Sequence, residues 1–216
     1  MIRTNSATVA AYLIGILAIA MPLAPCAESN WPSWRGPSGN GAALGNSKPP
    51  IEWSEEKNIL WKIKLPGLGH STPIVWGDKV YLTTAIPFGD ETSPPVTDNA
   101  PGSHDNLPVA QKHRFVAMCI KRASGKILWQ TTCHEAFPHE GGHVSGSLAS
   151  ASPVTDGKHL IVYFGSHGIY GIDTMSGKVL WKKVLGRMST KHAHGEGSSP
   201  ALAGNTVVVN WDHEGQ

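Results

Sequence analysis

Beyond residue 26 the apolar positions fall in short runs cut by glycine turns, and no stretch sustains the periodicity of an amphipathic helix. Leu160–Tyr163 and Val207–Val209 are apolar at every position and of strand length, the pattern of strands covered on both faces. HSTPIVWGDKVYLTT (70–84), SASPVTDGKHLIVYFG (150–165) and SSPALAGNTVVVNW (198–211) share one layout: a serine ahead of a proline, apolar residues, a glycine turn, then a β-branched run. A second marker also recurs, because GIDTMSGKVLW (171–181) aligns position for position beneath CIKRASGKILW (119–129), with Trp129 and Trp181 standing 52 residues apart. This is an internal repeat, and after its first 26 residues the chain is predicted to be all-β.

One repeat reads as four strands. In the most regular copy SASPVT, HLIVYF, GIYGID and KVLWKKVL are strands A to D, with DG and MSG supplying turns. A four-stranded unit of this length cannot bury both faces alone, whereas stacking such units radially does so, and the repeat length matches a β-propeller blade. The predicted architecture is therefore a β-propeller of four-stranded blades.

GIDTMSGKVLW resembles the tryptophan-docking motif of the quinoprotein-type (pyrroloquinoline quinone repeat) β-propeller superfamily, and the resemblance spans residues 31–216. In that family the closing Trp wedges between neighbouring blades against the motif glycine. The resemblance implies that role for Trp181 with Gly177 and for Trp129 with Gly125. A large flat ring buries much area, and a glycine lets it approach the backbone closely. The first copy departs from the pattern, with Cys119 at the small position and Lys121 where Asp173 stands in the second, so its blade is expected to be less regular.

Two segments fall outside the period. NILWKIKL (58–65) reads as a strand D with no strands before it, which in the family closes the ring. WPSWRGPSGNG (31–41) resembles the N-terminal signature of exported bacterial propellers in this superfamily and is expected to pack its two indoles on the rim. The expected organisation is a signal peptide at 1–26, an irregular segment at 27–57, and a partial propeller at 58–216 with a Pro/Asp/Gly-rich insertion at 86–113. The third unit shows only strands A and B, so the chain reads as a fragment: a closing strand, two blades and half of a third.

Composition narrows the partners. Charged residues make up 16% of the chain and its formal net charge is +2, so no basic field exists to hold nucleic acid by counterion release. Arg3, the apolar stretch Ala7–Ala24 and the small residues of APCAES form an export signal cut after Cys26 or Ala27. The alternatives are an uncleaved anchor, since 7–24 is long enough to span a bilayer, and a lipidated Cys26, whose LAPC context resembles a lipobox but carries Pro25 where a small residue belongs. Membrane contact is expected only through such an N-terminus. Cys119 and Cys133 are expected to be unpaired thiols, because a tight hairpin places Cys119 opposite residue 130.

Histidine is the remaining oddity, with 11 in the chain. HEAFPHEGGH gathers His134, His139 and His143 after strand D of the first blade, a candidate inter-blade metal site whose alternative is a solvated loop. A zinc-protease reading fails, because the spacing of His134 and His139 and the presence of Pro138 are wrong for HExxH on a helix. KHAHGEG (191–197) and WDHEG (211–215) are similar polar loop ends. Alcohol-oxidising members of the superfamily carry pyrroloquinoline quinone, calcium and an adjacent-cysteine disulfide, and no adjacent Cys pair occurs here. The resemblance thus favours a non-catalytic exported scaffold, similar to the propeller lipoproteins that assist outer-membrane β-barrel assembly, meeting a protein partner through its face or loops. No catalytic residue and no cofactor are expected. The alternative is a quinone- or metal-dependent oxidoreductase whose active residues lie in blades this chain lacks.

Overall fold

The computed structural model describes residues 30–43, 45, 47–92 and 102–214. The export segment with Cys26 and the middle of the Pro/Asp/Gly-rich insertion lie outside these residues. In chain order the strands are β1 (Ile74–Trp76), β2 (Lys79–Phe88), β3 (Asn106–Leu107), β4 (Lys112–Lys121), β5 (Ile127–Ala136) and β6 (Gly142–His143). They are followed by β7 (Val154–Thr155), β8 (His159–Tyr163), β9 (Ile169–Asp173), β10 (Val179–Lys183), β11 (Ala201–Ala203) and β12 (Thr206–Val208). β1-β2-β4-β5 form one antiparallel sheet and β7-β8-β9-β10 a second, each a simple meander of the blade type. β11 and β12 make a hairpin, while β3 and β6 pair with each other outside both sheets. No closed ring forms among the described residues.

Of the two all-apolar runs, Leu160–Tyr163 is covered on both faces, whereas Val207–Val209 is covered on one, with Val207 and Val209 packed on the second sheet and Val208 52% exposed. Between the two sheets lies one core, with Ile74, Tyr81, Phe115, Ala117 and Cys119 from the first meeting Leu160, Val162, Tyr170 and Ile172 from the second. On the far face of the second sheet, Ile161, Tyr163 and Ile169 meet Leu202, Val207 and Trp211 of the hairpin segment. Leu160–Tyr163 therefore point alternately into two different cores, and none is more than 3% exposed. On the far face of the first sheet, Val116, Met118 and Ile120 are covered by Trp61, Ile63 and Leu65.

Residues 58–65, expected as a closing strand, make that contact without pairing in a ladder among the described residues. Their alternation is used for face packing: Trp61, Ile63 and Leu65 lie on the sheet while Leu60 stays 80% exposed. WPSWRGPSGNG also sits elsewhere than on the rim. Trp31 exchanges both main-chain hydrogen bonds with Val75 (2.8 and 2.9 Å), extending the β1 edge, and the Pro32 carbonyl accepts Thr155 N–H (2.9 Å). The segment thus runs along the inner strands of both sheets. At the insertion, β2 and β4 stay paired out to Phe88 and Lys112, so the loop proper is shorter than 86–113 and carries β3 within it.

Turn chemistry separates the two copies of the hexapeptide. The Asp173 carboxylate accepts Ser176 N–H (2.7 Å) and Ser176 Oγ–H (2.6 Å), and Gly177, at φ +72°, donates its amide to the Asp173 carbonyl (2.9 Å). These side-chain bonds hold the Asp173 carboxyl below its usual range. Lys121 holds its turn through the main chain: its carbonyl accepts Ser124 N–H (3.2 Å) and Gly125 N–H (2.9 Å), and its amide donates to the Lys126 carbonyl (2.8 Å). Beside it the β4–β5 ladder slips in two places, against one in β9–β10. Cys119 stands opposite Trp129, one residue short of the expected 130. Cys119 and Cys133 are free thiols.

Two kinds of joint connect neighbouring units. The first is tryptophan on glycine, with a different pairing from the one the resemblance implied. Trp129 lies over Gly177 of the next unit, where an added Cβ would come within 2.7 Å of the indole, and Trp129 Nε1–H donates to the Thr174 carbonyl (3.2 Å). Gly125 is covered not by Trp129 but by Trp61, whose Nε1–H donates to the Arg122 carbonyl (2.7 Å). Trp181 does not meet Gly177; it faces Gly171 across the β9–β10 ladder and is 39% exposed. Each motif glycine and the Trp that follows it share one hairpin; from its hairpin Trp129 reaches the adjacent sheet, whereas Trp181 lies on Gly171 of its own. The second joint is polar. Thr72 N–H donates to Ser152 Oγ (2.8 Å) and Ser152 N–H donates to Ser199 Oγ (2.9 Å), so the residues ahead of the three prolines are linked in series.

Candidate functional site

An antiparallel meander sorts its connections. The tight turns β1–β2, β4–β5, β7–β8 and β9–β10 fall at one end of the sheets. The β2–β4 insertion, the β8–β9 turn and the segments after β5 and β10 fall at the other. Every histidine except His159 lies in a segment that reaches this second end, which neither composition nor local spacing reveals. Long connections at one end of a rigid scaffold are where binding groups collect.

The expected trio His134, His139 and His143 does not converge. His134, on β5, pairs with Phe115 on β4, and His167 from the β8–β9 turn stacks on the same Phe115 ring (centroids 4.1 Å apart). His139 Nε2–H donates to the Met188 carbonyl (2.8 Å) and its ring stands 6.0 Å from that of His167. Burial, with His134 and His139 close by, pushes the His167 pKa down to about 4. This group is an aromatic and imidazole stack on the core, in which burial holds His134 and His167 below the ordinary imidazole range.

His143 belongs to another cluster, with His104 from the insertion and His194 from the β10–β11 connection. One ligand nitrogen from each of the three lies within 4.8 Å of the other two. The backbone that presents them is closely determined. β3 pairs Asn106 with His143, Val144 N–H donates to the Asp105 carbonyl (2.8 Å), and Asn106 Nδ2–H donates to the His192 carbonyl (2.9 Å). His104 is exposed, whereas His143 and His194 are half-buried. His194 Nε2 and Asn106 Oδ1 are buried without a hydrogen-bond partner among the described residues. Loss of hydration, together with the neighbouring imidazoles, holds the His194 pKa below its ordinary value. Three imidazoles with a shared focus are a donor set that a divalent ion can use. His104 and His194 were not singled out by sequence; KHAH was a visible signal, but its counterparts lie in distant segments.

Between the inner strands a cleft of about 710 Å³ is lined by His70, Thr72, Ser152, Lys191, Glu196 and Asp212, among others. Its most buried ionisable group is Glu196, which accepts Ser166 N–H (2.5 Å) and the Ser166 hydroxyl. Burial raises the Glu196 carboxyl above its usual range. Ser166 Oγ in turn accepts Met188 N–H (2.7 Å), so this hydroxyl is a bracket between two loops rather than a free nucleophile. Ser152 and Ser199 are engaged in the polar joints, and burial pushes the Cys119 and Cys133 thiols up to about 12, far from thiolate character at neutral pH. On the same end, Leu68, Pro87, Leu107, Val109 and Leu148 line an apolar groove of about 260 Å³.

Repeated four-stranded antiparallel sheets, joined at their inner edges and by indoles on glycines, define a blade-repeat protein of the pyrroloquinoline quinone-repeat type. A family profile described as outer membrane protein assembly factor BamB matches residues 91–214, more than half of the chain, and the chain belongs to that family. No curated protein matches it.

Proposed function

We propose that this chain is an exported β-propeller that acts as a non-catalytic scaffold, holding a polypeptide partner against the end of the sheets that bears the insertion. The observation that carries this reading is the match of residues 91–214 to a family described as an outer membrane assembly factor. Two further features support it. The Ser166 and Ser152 hydroxyls are committed to the frame and the Cys119 and Cys133 thiols are held neutral by burial, and the insertion supplies exposed Leu107 beside an apolar groove. The export signal at 1–26 and the family's named role both favour an envelope location, with attachment to the membrane through the N-terminus alone.

Site-specific photocrosslinking in the envelope of producing cells tests the proposal. A photoreactive residue replaces Leu107 at the insertion-bearing end or Met175 in the β9–β10 turn at the opposite end. Recurrent envelope-protein adducts from position 107 and none from 175 are expected. Equal labelling from both positions, or none from 107, would refute the assigned face.

A further inference from the structure

We propose that His104, His143 and His194 form a binding site for a divalent transition-metal ion of the zinc class, which fastens the β2–β4 insertion to the two inter-unit connections. The proposal goes beyond the scaffold reading and does not depend on it.

Imidazole nitrogen suits zinc and its neighbours in the first transition row, and disfavours calcium and magnesium, which take oxygen. Three ligand nitrogens at a widest separation of 4.8 Å place a central ion about 2.8 Å from each. Zinc–imidazole bonds are about 2.0–2.1 Å, so closure needs each ring to move inward by roughly 0.7 Å, which side-chain torsions supply without moving the backbone. The ring centroids agree with a converging set: His104 to His194 is 4.8 Å, His143 to His194 5.0 Å and His104 to His143 6.4 Å.

The outer contacts orient the lone pairs. His104 Nδ1 stands 3.3 Å from the Asp105 carboxylate, a carboxylate–imidazole pair that leaves Nε2 for an ion. His143 Nδ1 accepts the Ser145 amide N–H (3.2 Å) and lies 2.7 Å from Ser145 Oγ. Ligation through Nε2 exchanges the amide bond for the tautomer whose Nδ1–H donates to that hydroxyl. His194 supplies the independent observation. Its Nε2 is buried and unpartnered among the described residues, a state that costs free energy unless an ion or other donor completes it. With three protein ligands a fourth position stays open, to water or to a partner's side chain.

The consequence is structural. His104 comes from the insertion, His143 from the connection between the first and second sheets, and His194 from the connection beyond the second sheet. One ion thus ties together segments from three places in the chain. The short β3–β6 pairing, only two residues on each strand, is otherwise a weak anchor for so long a loop.

The test uses the full exported chain, stripped with a chelator and titrated with Zn²⁺ by calorimetry and with Co²⁺ by visible absorption. Expected are one Zn²⁺ per chain at micromolar affinity or tighter, a Co²⁺ spectrum of four-coordinate type, and a higher Tm with Zn²⁺. His104→Gln and His194→Gln should each weaken binding about 100-fold, and Asp105→Asn, which acts through His104, about 10-fold with an unchanged metal-free Tm. His134→Gln and His139→Gln should bind as the parent does. Far-UV circular dichroism identifies any variant that fails to fold, and exposed His104 keeps the test decisive if His194→Gln does. No saturable Zn²⁺ binding by the parent, undiminished affinity in His104→Gln, or equal loss in His134→Gln would overturn the proposal.

Discussion

Substituting Gly177 with Ala, alone and together with Trp129→Ala, separates the joint seen here from the one the repeat suggests. Gly177 lies at φ +72°, where an L-residue costs on the order of 1 kcal/mol, and its new Cβ would stand 2.7 Å from the Trp129 ring, adding about 1–3 kcal/mol of overpacking. Trp129→Ala removes a half-buried indole packed on the inter-sheet core and leaves the Thr174 carbonyl without its donor. That should cost about 3 kcal/mol, the low end for truncating a buried aromatic. In the double variant the overpacking vanishes and the backbone strain remains, so the two changes should fall short of additivity by about 1–3 kcal/mol. Trp129→Ala with Gly125→Ala should be additive to within roughly 0.5 kcal/mol, because Gly125 lies under Trp61. Urea unfolding of the five variants and the parent, with a common m-value, gives both cycles. Coupling between Trp129 and Gly125 with none to Gly177 would mean that each indole docks on its own hairpin and that the inter-unit joint is misassigned.

Two further outcomes follow from the buried polar groups. His167, with a pKa of about 4 in the fold against 6.5 when unfolded, binds fewer protons folded than unfolded between those values. Its contribution is therefore fully present above pH 6.5 and is lost as pH falls through 4, by on the order of 3 kcal/mol. Since His134, His139, His113 and Arg187 face it, the diagnostic quantity is the difference in pH slope between the parent and His167→Gln; equal slopes would show that His167 is not held neutral. Ser152→Ala removes the acceptor for Thr72 N–H at a position only 3% exposed, and should lower stability by about 1–3 kcal/mol, whereas the same change at exposed Ser145 should be close to neutral in chemical denaturation.

The blade-like units were legible because their signals are local. A run such as Leu160–Tyr163 declares coverage on both faces, DG and MSG fix the turns, and one copy of the hexapeptide explains the other. The joints were less legible. Nothing within SGKILW says which sheet Trp129 will lean on, since that depends on how far the next unit is rotated, and no repeated motif marks the contact of Trp76 with Gly157. NILWKIKL shows why alternation alone does not specify a strand: period two describes one apolar face, and a face can be satisfied by lying on a sheet as well as by joining one. The histidine cluster was the least accessible. HEAFPHEGGH attracted attention by density along the chain, whereas His104, His143 and His194 are brought together by loop closure across two sheets. Sequence proximity separated what topology joins.

The serial joint through Thr72, Ser152 and Ser199 has a direction. Each unit gives its amide forward and receives on its hydroxyl from behind, while the proline that follows holds the donor residue extended so that both groups point along the inner edge. A connector with one donor end and one acceptor end is indifferent to which copy it joins, as long as the next copy presents a hydroxyl at that position. Duplication of a unit would then carry its own coupling with it, and a further copy inserted between Ser152 and Ser199 would meet the same partners on either side. Sequence drift could accumulate freely on the outer strands, as between Lys121 and Asp173, while this single position kept successive copies interchangeable.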